Sequence, residues 1–282
     1  MIEGLFLCYL AHTMQAKSEQ LFKAAYQALM CGDVAQKRAM TKRLYENWQA
    51  GLLSLDDEIP VKKTINPGRP EKPELVLPRN LTQRKLHTKE GRAALIHAVA
   101  HIEFNAINLA LDAVYRFREL PEDYYADWLQ VASEEAYHFS LLADRLEKLG
   151  YHYGDFPAHN GLWEMAVKTD DDLLKRMALV PRVFEARGLD VTPGMIKKFT
   201  SVGDHETMEI LKIILRDEVG HVRIGDRWYR WACEQENLEP EETFRKLINT
   251  FLPGQVRGPF YEEARLQAGF SKQELEKLQS MS

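Results

Sequence analysis

Residues 131–150 read VASEEAYHFSLLADRLEKLG and carry the motif Glu135-x-x-His138 inside a segment with helical periodicity. Residues 211–222, LKIILRDEVGHV, repeat the motif as Glu218-x-x-His221. On a helix, residues three positions apart lie on the same side, one turn apart, so each Glu and its His can bind one metal ion. The two motifs together predict a metal site built from long helices.

A single glutamate precedes each motif within another helical segment. Glu103 lies 32 residues before Glu135, and Glu185 lies 33 residues before Glu218. Two helical hairpins of matched length, related by an approximate two-fold, would bring their midpoints together. One Glu and one Glu-x-x-His from each hairpin form the ligand set of a carboxylate-bridged di-metal site in a four-helix bundle. The predicted metal ligands are Glu103, Glu135, His138, Glu185, Glu218 and His221.

The residue types also indicate which metals would bind. Carboxylate and imidazole suit iron or manganese, and no cysteine lies near the motifs to favour a sulfur-rich site. We therefore expect two iron ions as cofactor, with Mn/Fe and Mn/Mn as the other compositions. Glu103 shares its helix face with apolar residues such as Ile107. A carboxylate on such a face is costly unless it is paired or bound to metal.

An acidic residue stands directly before the glutamate of each motif, as Glu134 and Asp217. Glu134 is also four positions before His138, a spacing that by itself allows a shared metal. The parallel between the two motifs assigns Glu135 and Glu218 as the ligands instead. Two interpretations of Glu134 and Asp217 remain open: groups that orient the ligand histidines, or ordinary exposed charges.

The histidines outside the two motifs are interpreted as structural residues and not as metal ligands. His97 and His101 lie on the predicted helix of Glu103 but project away from it. We interpret them as hydrogen-bonded structural histidines, the alternative being a second metal site. His205 and His159 are interpreted in the same way, and His159, in a loop, could also line an entrance.

Bulk properties limit the class of protein. With 282 residues, 45% hydrophobic and 28% charged, the composition is that of a globular protein. The net charge of −5 gives no general affinity for polyanions. Three scattered cysteines argue against a disulfide framework and favour a reducing cytoplasm. The start, MIEGLFLCYLAHTMQ, lacks a basic region and is interpreted as a buried helix; we expect no signal peptide and no membrane span.

Periodicity predicts an all-α fold in four parts. These are an N-terminal helical extension (1–58), a proline-rich basic connector (59–88), a four-helix core (89–238) and a helical tail (239–282). Asp33, Pro121, Gly150 and Asp204 are predicted to mark helix ends. The tail is expected to contain one or two helices.

The third core helix is predicted over about 162–187, with a kink near Pro181. The stretch RGLDVTPG is expected to end it, and a separate short helix is expected over 193–202. Because this break follows Glu185 directly, Glu164 is the fallback ligand.

Several stretches within about 65–235 carry a resemblance to a known superfamily: GRAALIHAVAHIEFNAINLALDA, EEAYHF, GDFPAHNGLW, RMALVPRVFEARGLDVTP and RDEVGHV. They resemble the ferritin-like di-iron carboxylate superfamily and, more closely, an uncharacterised bacterial family within it. The resemblance implies that the core (89–238) is a ferritin-like four-helix bundle with a di-metal site at the six predicted ligands. The chain is also distantly similar to the tRNA isopentenyl-adenosine hydroxylase, through Glu185-Ala186-Arg187 and the spacing from Arg216 to His221.

Three functions are compatible with such a site. The favoured one is an O2-activating oxidoreductase, a hydroxylase, oxygenase or oxidase, with a small-molecule or modified-nucleoside substrate and an external electron donor. The second is a ferroxidase or metal store, which predicts a shell-forming oligomer. The third is a metal-stabilised, non-enzymatic binding protein, which predicts a saturated site without an open cavity.

The connector is locally basic. Residues 62–92 contain nine Lys/Arg and three Glu, a local charge of +6. Such a stripe could contact the phosphates of RNA or of a phosphorylated small molecule. The interpretation that we favour is a solvated linker that packs against acidic helices.

Overall fold

The computed structural model describes residues 19–56, 59–82 and 84–280. The helix predicted at the start of the chain lies outside these residues. The all-α class is confirmed, since the described residues are predominantly helical. Their extended pairing is limited to two residues each of β1 (Glu19–Gln20) and β2 (Leu53–Ser54), which run parallel, and an isolated bridge between Leu75 and Ala158.

Two helices precede the connector. Helix α1 covers Leu21–Met30 and α2 covers Val34–Gln49. Asp33 caps α2 as predicted, because its side chain accepts a hydrogen bond from the backbone N–H of Gln36 at 2.7 Å. The buried face of α1 includes Leu21, Ala25 and Leu29. These apolar contacts fix both helices against the longer helices that follow.

The proline-rich connector contains one 3-10 turn, Pro78–Asn80, and no α-helix among its described residues. It is attached to the rest of the protein at several points. The indole N–H of Trp163 donates to the carbonyl of Ile65 at 2.8 Å, and the Lys63 ammonium lies 3.4 Å from a carboxylate oxygen of Asp170. The connector therefore packs along the helices instead of extending into solvent.

Helices α3 (Lys89–Arg116) and α4 (Glu122–Lys148) form a long antiparallel pair. Thr88 caps α3 by accepting from the backbone N–H of Gly91 at 3.0 Å. Gly150 ends α4 as predicted: its φ is +71°, a left-handed conformation that glycine adopts without strain.

Helix α3 is long and apolar enough to span a membrane by length and composition alone. However, 78% of its most apolar stretch is buried inside the protein. Core helices of soluble proteins pass the same test, and the burial of α3 places it in that class.

The prediction for the third core helix is wrong in two ways. The segment begins as two short helices, α5 (Gly161–Lys168) and α6 (Leu173–Leu179). It then continues through a π-helical turn, Val180–Glu185, directly into α7 (Ala186–Ser201). The stretch RGLDVTPG therefore does not end the helix.

Packing explains why Pro193 is tolerated inside α7. A proline in a helix interior removes a hydrogen bond and costs about 3 kcal/mol in isolation. The face of α7 formed by Ala186, Leu189, Thr192 and Phe199 is buried, and α7 packs along the next long helix. Tertiary contacts of this kind routinely outweigh local propensity.

Helix α8 (His205–Gln235) begins at Asp204 as predicted, since the Asp204 side chain accepts from the backbone N–H of Thr207 at 3.0 Å. The described part of the tail, up to residue 280, contains three helices, not one or two: α9 (Pro240–Phe251), α10 (Glu262–Gln267) and α11 (Lys272–Ser280). Arg182 of the π-helical turn is buried and pairs with Asp226 of α8 and Glu274 of α11. This network fixes the tail to the core.

Candidate metal centre

Three helices, α3, α4 and α8, meet at a buried cluster of carboxylates and an imidazole. Glu103 comes from α3, Glu135 and His138 from α4, and Glu218 from α8. Each of these residues offers one ligand atom, and the four atoms all lie within 4.8 Å of one another. A group of this composition and compactness could hold a metal ion.

The two histidines face the cluster through the same ring atom. Nδ1 of His138 lies 3.4 Å from Oε2 of Glu103 and 3.5 Å from Oε2 of Glu135. Nδ1 of His221 lies 3.0 Å from Oε1 of Glu135 and 3.7 Å from Oε1 of Glu218. Glu135 is thus in contact with both histidines and stands between the two halves of the cluster.

The opposite ring nitrogen of each histidine is held by the acidic residue of the other motif. Nε2 of His221 donates to Oε2 of Glu134 at 2.7 Å, and Nε2 of His138 donates to Oδ2 of Asp217 at 3.1 Å. The two interpretations left open by the sequence are thereby resolved, because both acids orient histidines. The sequence did not predict that each acid would bind the histidine of the other motif, on the other helix.

Each outer carboxylate is stabilised in its charged form. Burial opposes ionisation of Glu134, but its hydrogen bond with His221 lowers its pKa below the usual range. Burial likewise opposes ionisation of Asp217, and its contacts with Arg216 and His138 lower the pKa of that carboxyl. A charged acceptor at Nε2 leaves Nδ1 of each histidine directed at the cluster.

The inward atoms of the cluster are buried and make no hydrogen bond with any described residue. They are Oε2 of Glu103, both carboxylate oxygens of Glu135, Nδ1 of His138, Oε2 of Glu185 and Nδ1 of His221. Buried polar atoms without partners are rare, and an ion is one of the few explanations for a group of them. These atoms belong to five of the six predicted ligands. The donor set present therefore fits bound metal ions.

The shifted pKa values of the metal-free cluster also indicate a site for cations. Burial and neighbouring carboxylates raise the pKa of Glu103 and Glu218, and raise that of Glu185 to about 8. Burial also disfavours charge on Glu135, but His221 and His138 outweigh it and lower the Glu135 pKa. Despite burial, the carboxylates raise the pKa of His138 to about 11. Without metal the cluster holds protons, which cations would displace.

Glu185 lies at the C-terminal end of the π-helical turn. Its side chain lines a cavity of about 200 Å³ together with Glu103, Glu135 and Glu218. Glu164, the fallback ligand, is exposed on α5 and does not line this cavity. The structure thus brings Glu185, and not Glu164, to the cluster.

Close packing positions the π-helical turn on α8. A Cβ added at Gly225 would lie 2.2 Å from Cβ of Pro181, so only glycine allows the two segments to approach this closely. Short π-helical segments occur frequently at functional sites. Here the turn accommodates Pro181 and carries Glu185 into the cavity.

The structural interpretation of His97 and His101 is confirmed. Nε2 of His97 accepts from the backbone N–H of Gly154 at 2.9 Å, and the ring of His101 contacts the Tyr153 hydroxyl at 2.9 Å and the His159 carbonyl at 3.1 Å. Burial lowers the pKa of both histidines to about 4, so each is neutral near pH 7. His205 is exposed at the start of α8.

Sequence reasoning missed the cavity wall formed by α7. Val191, Thr192 and Met195 line the cavity, but they lie beyond the point where the third helix was predicted to end. The helical spacing of the apolar residues Leu189, Ile196 and Phe199 could have indicated a continuing helix.

Comparisons with known proteins identify a family. Residues 30–276 match a family described as a protein of unknown function (DUF455). A protein of Haemophilus influenzae, described as an uncharacterized protein, is 45% identical over 274 residues, which cover 93% of this chain and 95% of the relative. No solved structure gives a match.

Proposed function

We propose that this chain, which belongs to the DUF455 family, is a ferritin-like di-metal carboxylate protein that activates O2 to oxidise an organic substrate. One observation carries the proposal: the inward atoms of the clustered glutamates and histidines are buried, face one another and make no hydrogen bond with any described residue. Four buried carboxylates with only two histidines among them are destabilising together unless protons or cations neutralise them.

The proposed ligands divide into two sets. Glu103 and His138 would hold one ion, whereas Glu185, Glu218 and His221 would hold the other. Glu135 would be shared, because its oxygens contact both histidines. Iron is the proposed metal, with Mn/Fe and Mn/Mn as alternatives, because each suits carboxylate and imidazole donors. When bound in reduced form, such ions supply the electrons that O2 requires.

The residues around the proposed ions would protect the chemistry. Apolar side chains, among them Leu109, Phe184 and Ile214, line the cavity beside the four glutamates. Such walls exclude water and stray reductants from the ions. Glu134 and Asp217 keep the histidines oriented through Nε2. An external donor would resupply the electrons.

The cavity favours an enzyme over a purely structural metal site. A metal-stabilised binding protein needs a saturated, closed site, whereas here a space of about 200 Å³ opens directly onto all four glutamates. A substrate or O2 therefore has room beside the proposed ions.

The test is anaerobic reduction of the iron-loaded protein followed by exposure to O2. We expect rapid O2 consumption by the wild type and none by Glu135→Ala. Slow O2 consumption that bears no fixed ratio to the bound iron, and that is the same in Glu135→Ala, would contradict the proposal. Size measurement of the same sample distinguishes the storage function, since a shell-forming oligomer that accumulates an iron core would replace the oxidase interpretation.

A further inference from the structure

A second cavity adjoins the one at the metal cluster. We call the cavity of about 200 Å³ that is lined by the four glutamates the inner cavity. The outer cavity, of about 420 Å³, lies between the connector, α3, the segment 156–162 that leads into α5, and Lys198 of α7. Leu95, Ala98, Ile102 and Leu162 line both cavities. Four apolar side chains therefore form the boundary between them.

The two cavities differ in charge. The inner cavity is lined by Glu103, Glu135, Glu185 and Glu218, and by one cation, Arg187, which lies 3.8 Å from Asp190. The other described residues of its lining are mostly apolar. The outer cavity has two cationic side chains, Arg84 and Lys198, and no carboxylate among the described residues that line it. The outer cavity is therefore basic and accessible, and it lies across the apolar boundary from the proposed metal ligands.

Lys198 is the cation best placed to bind a ligand. Its side chain is exposed, and no ion pair with a described residue neutralises it. Arg84, in contrast, lies 3.0 Å from Glu90 and stacks over the ring of Phe156. His101 adds no charge, because burial lowers its pKa to about 4. An anion entering the outer cavity would meet Lys198 as its main electrostatic partner.

We propose that the substrate of this site is an amphipathic oxyanion. Its anionic group, a carboxylate or phosphate, binds at Lys198 and Arg84 in the outer cavity. Its apolar chain passes Leu95, Ile102 and Leu162 and presents a C–H bond in the inner cavity. The inner cavity is mostly apolar beside the metal ligands and suits the apolar chain, whereas the cations of the outer cavity suit the anionic end. This inference rests on the proposed function.

Binding can be measured without turnover on the full-length, metal-loaded protein. The probes are dodecanoate, dodecyl phosphate and dodecanol, each below its critical micelle concentration, with calorimetric detection. We expect saturable binding of dodecanoate or dodecyl phosphate, and the stronger of the two identifies the head group. Dodecanol, which lacks the charge, should bind at least roughly tenfold more weakly.

Two variants of neighbouring lysines test the role of Lys198. Lys198→Glu should weaken binding of the charged probe at least roughly tenfold. Lys197→Glu makes the same charge change one residue earlier on α7, at an exposed position that lines neither cavity, and should leave the affinity within about twofold. Equal effects of the two variants would overturn the proposal, since they would indicate a general charge effect.

A third variant tests the path of the chain. In the wild type, affinity should rise with chain length by up to roughly fourfold per methylene. Ala98→Phe places a bulky ring at the boundary between the cavities, and because Ala98 is exposed the helix should still fold. We expect this variant to bind probes with short chains as tightly as the wild type does. Its affinity should not rise further as the chain is lengthened.

Four results would overturn the inference: no saturable binding of either charged probe, equal affinity for dodecanol, equal effects of the two lysine variants, or unchanged chain-length dependence in Ala98→Phe. Each can be told apart from failure of the proposed function, because metal content and O2 consumption are measured separately on the same protein. Loss of the metal site with selective probe binding intact would refute the proposed function alone.

Discussion

Glu134 accepts a hydrogen bond from Nε2 of His221 at 2.7 Å, so the acidic residue of one motif holds the histidine of the other. Asp217 does the same for His138 at 3.1 Å. These two hydrogen bonds link α4 to α8 on the side of the histidines that faces away from the proposed ions. They also fix which nitrogen of each ring faces the cluster.

Removal of the Glu134 carboxylate should weaken metal binding. Groups that orient a ligand histidine typically contribute about 10–100-fold to metal affinity. We expect a loss in this range for Glu134→Ala and a smaller loss for Glu134→Gln, whose amide oxygen can still accept from Nε2. Competition with a chelator measures the affinities. Glu147→Gln, at an exposed position of α4, is the control; equal affinities for all variants would show that Glu134 is an ordinary surface charge.

Substitution of Gly225 should disturb the position of Glu185. The added Cβ of Gly225→Ala would collide with the Pro181 ring, and we expect a loss of about 1–3 kcal/mol in the free energy of unfolding. Metal occupancy should fall as well, because the π-helical turn carries Glu185. Denaturant unfolding and metal analysis provide the measurements.

The matched control for this substitution is Gly194→Ala. A Cβ at Gly194 meets nothing within 4 Å, so replacing glycine within α7 should be neutral or stabilise by up to about 1 kcal/mol. If Gly225→Ala behaved like this control, the close approach of Pro181 would not position the turn.

Stability should fall in acid partly because of His97. Its pKa is lowered from 6.5 to about 4 in the folded protein by burial. Between these values the unfolded chain binds more protons, so the free energy of unfolding decreases as pH falls through this window. The contribution of His97 is at most roughly 3 kcal/mol and is flat below about pH 4.

The variant His97→Gln tests this contribution. Glutamine can still accept from the Gly154 N–H but does not titrate. Denaturant unfolding from pH 7 to pH 4 should show a shallower decline for the variant, by up to about 1.4 kcal/mol per pH unit. Parallel curves for the two proteins would show that His97 is not held neutral.

Much of the fold follows from local patterns. Asp33, Gly150 and Asp204 mark helix ends as expected, because capping and left-handed glycines are properties of a few neighbouring residues. The continuation of α7 through Pro193 does not follow from local patterns, because it depends on packing against α8. The same holds for the approach of Pro181 to Gly225.

In the candidate site, too, some features follow from the local sequence and others depend on packing. The spacing of the two Glu-x-x-His motifs and their upstream glutamates predicted which residues would gather, because helix length and periodicity are encoded locally. The crossed pairs Glu134–His221 and Asp217–His138 depend on the register of α4 against α8, which side-chain packing determines. The cavities depend on the positions of the connector and α7, and neither could be derived from periodicity.

The proposed site should hold two metal ions per chain, and elemental analysis after anaerobic reconstitution with Fe(II) measures that number. We predict about two ions per chain for the wild type, almost none for Glu135→Ala, and about two for Glu164→Ala, which removes an exposed glutamate of α5. Fewer than about one ion per wild-type chain, or full occupancy in Glu135→Ala, would contradict the account.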